Sequence, residues 1–296
     1  MLPKNLLFAN FVGMNILYCG DRNTQKGILL SVLSMLEHVD EPLNIYLLTM
    51  SYGDGERFRP MSTAFARHLE WVLKRDGEGG FVRLIDCTDM FQGAPPTANL
   101  DTRFTPYCML RLYTDLVPGM PDRLLYLDYD TVCCADPSEF YNQSLDDVEY
   151  VAVPDYYGQR FYALMTLRSE KYINSGVLLL NMPRIRESGM LAECRSLCRD
   201  EKMLLPDQHA LNRAAVSVSI ADRKYNDQRR PHDDTVFRHY STTFRLFPWL
   251  HTVSVKPWDT ERMHKVLRDY SVDDLLPRLE NDMQVIALQE AEDSGE

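Results

Sequence analysis

Two aspartates one residue apart, Asp128 and Asp130, follow the apolar run Arg123-Leu124-Leu125-Tyr126-Leu127. Side chains at i and i+2 of an extended segment face the same way, so the two carboxylates are predicted to converge. Like charges that close call for a cation or a proton, and burying both unpaired is costly. Mg²⁺ or Mn²⁺ suits such a pair, because both accept oxygen ligands together with substrate phosphates. A solvated acidic turn would give the same short pattern, so its meaning depends on what accompanies it.

Three further groups accompany it. Asn174 sits at the mouth of a buried strand in Tyr172-Ile173-Asn174-Ser175-Gly176-Val177-Leu178-Leu179-Leu180-Asn181. A polar side chain there can face a ligand, and Gly176 would admit close backbone approach; alternatively Asn174 and Asn181 cap the strand ends. In Leu205-Pro206-Asp207-Gln208-His209, a carboxylate and an amide precede a helical stretch. Spacing favours Asp207 as the helix cap, and the alternative is a pair facing sugar hydroxyls. His239, within Val236-Phe237-Arg238-His239-Tyr240, could be a third metal ligand through a neutral ring. Lys256, within Val255-Lys256-Pro257-Trp258, could meet phosphate as a point charge. Each alone reads as ordinary core or surface. Together with the paired carboxylates they point to a metal-and-phosphate site.

The elements that must position these groups follow from hydrophobic pattern. Asn15–Cys19, Leu43–Leu48 and Phe81–Ile85 read as strands. Helices are predicted between them, one carrying Ile28, Leu29, Val32, Leu33 and Leu36 on one face, the other over Pro60–Lys74. Near-continuous apolar strands alternating with helices imply an α/β fold with a mostly parallel sheet flanked by helices. Ligands then belong at the carboxyl ends of the strands. Asp89–Asp101 reads as loop and Tyr107–Leu116 as helix. Arg123–Leu127, Tyr150–Val153 and Val177–Leu180 read as strands, and Arg184–Arg199 and Asp207–Ala215 as helices. Residues 216–260 mix short strands and loops. No G-x-G-x-x-G loop follows the first strand, which argues against a dinucleotide site.

Bulk properties narrow the function. The 296 residues carry a formal net charge of -11, which disfavours a nucleic-acid partner. An anionic ligand would need a local basic pocket or a bridging metal. Seven cysteines without paired C-x-x-C spacing argue against zinc and suit a reducing compartment. Residues 1–13 read as an N-terminal extension too short and weakly charged for a signal peptide, with Met14 a candidate start. Residues 14–270 read as one domain and 271–296 as an acidic C-terminal tail. No apolar run reaches membrane-spanning length.

The ordered set MNILYCGDRN, YLDYD, NSGVLLLN, PDQHALN, HY and KPW, running from about Met14 to Trp258, resembles the retaining nucleotide-sugar glycosyltransferases of family 8. That group includes bacterial lipopolysaccharide galactosyl- and glucosyltransferases and glycogenin. The resemblance implies a GT-A fold, a divalent cation, usually Mn²⁺, and a UDP-sugar donor such as UDP-glucose or UDP-galactose. The acceptor would be a glycan, glycolipid or glycoprotein. By the same resemblance Cys19, Asp21 and Asn23 would border the nucleotide. Asp128 and Asp130 would be the metal-binding D-x-D pair, with Asp128 also near the ribose, and His239 the third ligand. Lys256 would bind the diphosphate, and Arg111 would face donor phosphate or sugar. Asp155, Asn174, Asp207 and Gln208 would face the transferred sugar. A cytoplasmic place, or a peripheral one at the inner face of the membrane, would follow.

The sequence departs from the family pattern in three places. Thr24 stands where many members carry an aromatic against the base, which would leave stacking to another residue such as Tyr18. A glycine usual shortly after the histidine is absent. The stretch from His239 to Lys256 is longer than in compact members and holds Phe244, Leu246, Phe247, Pro248, Trp249 and His251; it reads as an acceptor-side element or as plain packing. Two other functions fit parts of the pattern: a nucleotidyltransferase acting on a sugar phosphate, and an inactive nucleotide-sugar-binding protein.

Overall fold

A computed structural model describes residues 13–53, 58–101, 106–159, 172–245 and 251–295. Seven strands form the central sheet. In chain order they are β1 (Met14–Cys19), β2 (Leu43–Thr49), β3 (Gly80–Asp86), β4 (Arg123–Leu127), β6 (Tyr150–Pro154), β7 (Ile173–Asn181) and β8 (Val218–Ile220). Their order across the sheet is β3-β2-β1-β4-β7-β6-β8. The pairs β3–β2, β2–β1, β1–β4 and β6–β8 are parallel, whereas β4–β7 and β7–β6 are antiparallel. The sheet is thus mostly parallel, as the apolar runs predict; all seven residues of β2 are buried.

Helices α1 (Gln25–Leu36) and α2 (Thr63–Asp76) cover one face. Helix α1 is buried nearly all round, through Ile28, Leu29, Leu30, Val32 and Leu33. Such a helix belongs to the core rather than to a surface. Burying each large side chain contributes about 1.5–3 kcal/mol.

Three connections aim the chain at one place. Strand β1 has parallel neighbours on both sides, so its carboxyl end and that of β4 lie at the same edge of the sheet. The antiparallel pairing of β4 with β7 sets Leu127 opposite Val177, and the Asp128 amide donates to the Gly176 carbonyl at 2.8 Å. A separate two-stranded ribbon, β5 (Thr131–Cys133) with β9 (Phe237–His239), pairs Thr131 with His239.

Several local expectations are corrected. Arg184–Arg199 is two helices, Met182–Ser188 and Met190–Asp200, broken at Gly189, whose φ of 70° stops the first. The loop predicted over Asp89–Asp101 contains a helical stretch, Thr88–Gly93, and a 3₁₀ turn, Thr97–Asn99. The helix predicted over Tyr107–Leu116 is 3₁₀, Pro106–Leu116. The acidic C-terminal stretch forms a helix, Leu276–Ser294, that buries Leu279 and Ile286 against α1 and α2. Its Asp282 meets His68 Nε2 at 3.2 Å. Strands β10 (Thr243–Arg245) and β11 (His251–Val253) pair antiparallel; Leu246, Phe247, Pro248 and Trp249 lie outside the described residues. Among the described residues no helix is long and apolar enough to cross a membrane.

Candidate active site

Asp128 and Asp130 converge, but not as an extended strand would make them. Strand β4 ends at Leu127, and Asp128–Thr131 is a turn closed by the Thr131 amide on the Asp128 carbonyl at 3.0 Å. The ribbon β5–β9 then brings His239 alongside. Its Nε2 lies 3.5 Å from Asp128 Oδ2 and 3.3 Å from Asp130 Oδ1. One ligand atom from each of the three residues falls within 4.8 Å of the others. Two carboxylates and one imidazole are a donor set that Mn²⁺ or Mg²⁺ accepts. Gly176 makes the space: a Cβ there would lie 2.2 Å from His239 Cε1 and 2.8 Å from Asp128 Oδ2.

Fixed cations surround the carboxylates. The Lys256 ammonium pairs with Asp130 Oδ2 and lies 5.3 Å from the Tyr129 ring centre. Burial alone would raise the Asp130 carboxyl, yet Lys256 and His239 outweigh it and hold the group below the usual carboxylate range. Burial likewise disfavours the Lys256 ammonium, and Asp130 more than offsets this, raising it above its ordinary value. Arg111 is buried on the other side of Asp128. It donates to Asp128 Oδ1 at 2.9 Å, to the Ser175 carbonyl at 2.6 Å and to the Cys108 carbonyl at 2.8 Å, and its Nε is 3.4 Å from Asp207 Oδ2. Tyr126 adds a hydroxyl donor to Asp128 Oδ1 at 2.5 Å.

Asp207 is not the helix cap that its spacing favours. The helix Pro206–Ala214 is preceded by Leu205 with no side-chain cap, and Asp207 lies inside the first turn. Its Oδ2 accepts from Ser175 Oγ at 3.3 Å. Burial raises its carboxyl, and Arg111 opposes the rise. Gln208 and Asn174 meet at Asp155: Gln208 Nε2 and Asn174 Nδ2 each donate to Asp155 Oδ2 at 3.0 Å, and the Tyr157 and Gly158 amides donate to Oδ1. Gln208 Oε1 accepts from the Ser175 amide at 3.2 Å. Asn181, in contrast, is a structural cap, accepting from the Arg184 amide at 3.3 Å.

Cys19, Asp21 and Asn23 line up at the end of β1. Cys19 is buried, and burial pushes its thiol up. Asp21 accepts from the Asn23 amide at 3.1 Å and side chain at 3.0 Å, and Asn23 is exposed. Tyr18 cannot stack on a base: it has no exposed surface and bonds Ser31 Oγ at 2.8 Å inside the core. Strand alternation explains this, since Tyr18 points to the face covered by α1 while Leu17 and Cys19 point away.

Sequence reasoning misses Asn226, Ser175 and Tyr126. Asn226 follows the 3₁₀ turn Arg223–Tyr225 and is 1% exposed. It touches both His239 and Asn174. Nothing in Lys224-Tyr225-Asn226-Asp227 marks it out. Ser175 and Tyr126 stood inside recognised segments and could have been found by asking what their neighbours bond.

Comparison with known proteins bears on this site. The profile of glycosyl transferase family 8 matches residues 15–260. A lipopolysaccharide 1,2-glucosyltransferase of Escherichia coli K12 is 23% identical over 275 residues, covering 88% of this chain and 77% of that protein. The apo structure of the bifunctional glycosyltransferase WbbM superposes with a TM-score of 0.69 at 18% identity; it covers 95% of this chain, which spans about half (52%) of that one. The galactosyltransferase LgtC, solved with donor and acceptor sugar analogues, gives a TM-score of 0.61 at 20% identity, covering 93% and 95% of the two chains. The sheet and its flanking helices are the GT-A fold.

Proposed function

The chain belongs to glycosyl transferase family 8 and is by that membership a glycosyltransferase; we propose that it moves a hexose, glucose or galactose, from a UDP-sugar to a hydroxyl of a glycan, glycolipid or glycoprotein, with a divalent cation bound and the anomeric configuration retained. The observation that carries this reading is the meeting of the Asp128–Asp130 turn with His239 of β9, beside the side-chain amides of Asn174 and Gln208. The names of the E. coli relative and of LgtC specify glucosyl and galactosyl transfer for those proteins. The same reading puts the protein's work in the cytoplasm, or at the inner membrane face where a lipid-linked acceptor would present its sugar.

Asp128, Asp130 and His239 would hold Mn²⁺ or Mg²⁺, which when bound supplies positive charge against the departing diphosphate. Lys256 supplies a second positive charge for the same phosphates. Asp21 and Asn23 would border the nucleotide, with Cys19 behind them. Arg111 serves chiefly to hold Asp128 and Asp207, both of which it contacts. Asn174, Gln208 and Asp155 would meet the sugar hydroxyls, each able to exchange a present partner for one on the ligand.

Retention needs either a covalent sugar or attack from the face of the leaving group. Asp155 receives four N–H donors, and Asp207 is held by Ser175 and Arg111. The oxygens of Asp155 and Asp207 are thus already engaged by these partners, which leaves neither carboxylate free to attack an anomeric carbon. Front-face attack is therefore the preferred route, with the leaving phosphate oxygen taking the acceptor proton. Intact-mass detection of a sugar on Asp155 or Asp207 would reverse that preference.

The deciding experiment is a donor screen. UDP-glucose, UDP-galactose and their N-acetyl forms are incubated with the protein and Mn²⁺, and released UDP is measured with and without chelator. Release from one hexose donor, lost on chelation, is expected. Release that ignores chelator would remove the cation from the proposal. Pyrophosphate release from a nucleoside triphosphate would make the protein a nucleotidyltransferase. Failure to bind UDP at all, with or without Mn²⁺, would leave no enzymatic role.

A further inference from the structure

One hydrogen-bond relay in the site has no freedom of direction. The Gly176 backbone N–H can only donate, and it meets Asn174 Oδ1 at 3.0 Å. That fixes which end of the Asn174 amide is oxygen. Asn226 presents Nδ2 to the same oxygen at 2.9 Å, which fixes its own amide. Asn226 Oδ1 then faces His239 Nδ1 at 3.1 Å, so the ring must carry its proton on Nδ1. In the neutral ring this leaves the Nε2 lone pair on the side facing Asp128 and Asp130. A backbone amide in β7 thereby dictates the tautomer of a histidine in β9.

The placement of Asn226 is rigid enough to do this. The Asp227 amide donates to the Phe237 carbonyl at 2.8 Å, and the His239 amide to the Asp227 carbonyl at 3.0 Å, lacing the Asn226 turn to β9. Tyr225 stacks on Phe140 with ring centres 4.7 Å apart.

We propose that Asn226 is a positioning residue that locks His239 in the Nδ1–H tautomer, so that Nε2 is the ligand atom, and ties that ring to Asn174 on the sugar side. The inference rests on the metal reading above for its purpose, but its geometry stands without any ion. A partner on the far nitrogen of a ligating histidine sets ring orientation and basicity, and its loss weakens metal affinity by about 10–100-fold.

The test uses the full chain with ¹⁵N-labelled histidine, metal-free, at a pH where the ring is neutral. Long-range ¹H–¹⁵N correlation reads the tautomer, with the His239 signals assigned by their loss in His239→Gln. The Nδ1–H form is expected; an Nε2–H form in the wild type overturns the proposal. Mn²⁺ affinity without nucleotide, read by electron paramagnetic resonance of the free ion, should fall about 10–100-fold in Asn226→Leu. Asn226→Asp keeps an acceptor toward Nδ1 but loses the donor to Asn174 Oδ1, so it should retain the wild-type tautomer. Equal Mn²⁺ affinity in Asn226→Leu, or an Nε2–H ring in Asn226→Asp, overturns the proposal. If Asn226→Leu does not fold, the tautomers of the wild type and of Asn226→Asp decide it. A wild type that binds no Mn²⁺ would sink the metal reading, while the tautomer would still judge Asn226.

Discussion

The site has two poles that solve opposite problems. Around Asp128 and Asp130 the side chains are charged and each is set against its opposite, Arg111 on one carboxylate and Lys256 on the other. Around Asp155 the partners are neutral: Asn174, Gln208 and two backbone amides. Strand β7 serves both. Asn174 and Gly176 share one of its faces, while Ser175 sends Oγ to Asp207 and its carbonyl to Arg111. The charged pole can trade one cation for another and so suits a diphosphate and metal. The neutral pole, so called for its partners, surrounds the single carboxylate of Asp155 with uncharged donors and acceptors and suits hydroxyls. The difference teaches that electrostatics and shape recognition rest on different groups here, linked through β7, Asn226 and the adjacent Asp207 and Gln208.

Removing a carboxylate from the charged pole should have the largest effect. Asp130→Asn is expected to lower transfer about 10³-fold or more, since metal chemistry contributes several kcal/mol to such a step. Excess Mn²⁺ should not restore it. Wild-type-like UDP release by this variant would erase the comparison. Lys256→Ala comes next, with kcat/KM for the donor falling about 10²-fold, the range for one lost electrostatic donor. Unchanged donor kinetics would remove Lys256 from the charged pole. Gln208→Ala tests the neutral pole. One lost hydrogen bond is worth about 1 kcal/mol, so turnover should drop about 5-fold while Mn²⁺ affinity, measured without nucleotide, stays put. A parallel loss of Mn²⁺ affinity would mean the poles are one unit.

How much of this was written legibly in the chain depends on range. The strands β1, β2 and β3 and the convergence of Asp128 with Asp130 were readable because apolar runs and short spacing are local signals. The turn that achieves that convergence was not, because Thr131 could equally have continued an extended strand. Asp207 looked like a cap because Pro-Asp-Gln is helix-start chemistry; the partners of its carboxylate, Arg111 and Ser175, lie far off in the chain. Tyr18 looked available for a base because strand alternation alone does not say which face α1 covers. Asn226 carried no signal, since its partners come from β7 and β9. The Leu276–Ser294 helix was hidden by its charges, which mask Leu279 and Ile286.

The smallest predicted effect sharpens the charged pole by pH. Lys256→Met keeps the apolar stem but leaves Asp130 buried beside His239. A broken buried pair costs about 3–5 kcal/mol. Lys256 keeps some contact with water, so a loss of about 1–2 kcal/mol, a few degrees in Tm, is expected in chelator at neutral pH. The Asp130 carboxyl is held below its ordinary value of 3.8 in the fold, so its share of stability is present above that value and fades as pH falls through the folded one. The Lys256 ammonium is held above 10.5, so its share is present below that value and fades as pH rises through the folded one. Thermal melts should therefore show a constant gap between wild type and variant across the neutral range. The gap should narrow in acid, where Asp130 in the variant takes up a proton sooner than in the wild type. A gap that widens in acid would mean that Lys256 is not the group that keeps Asp130 ionised, and the pairing of charges that defines this pole would have to be drawn through His239 instead.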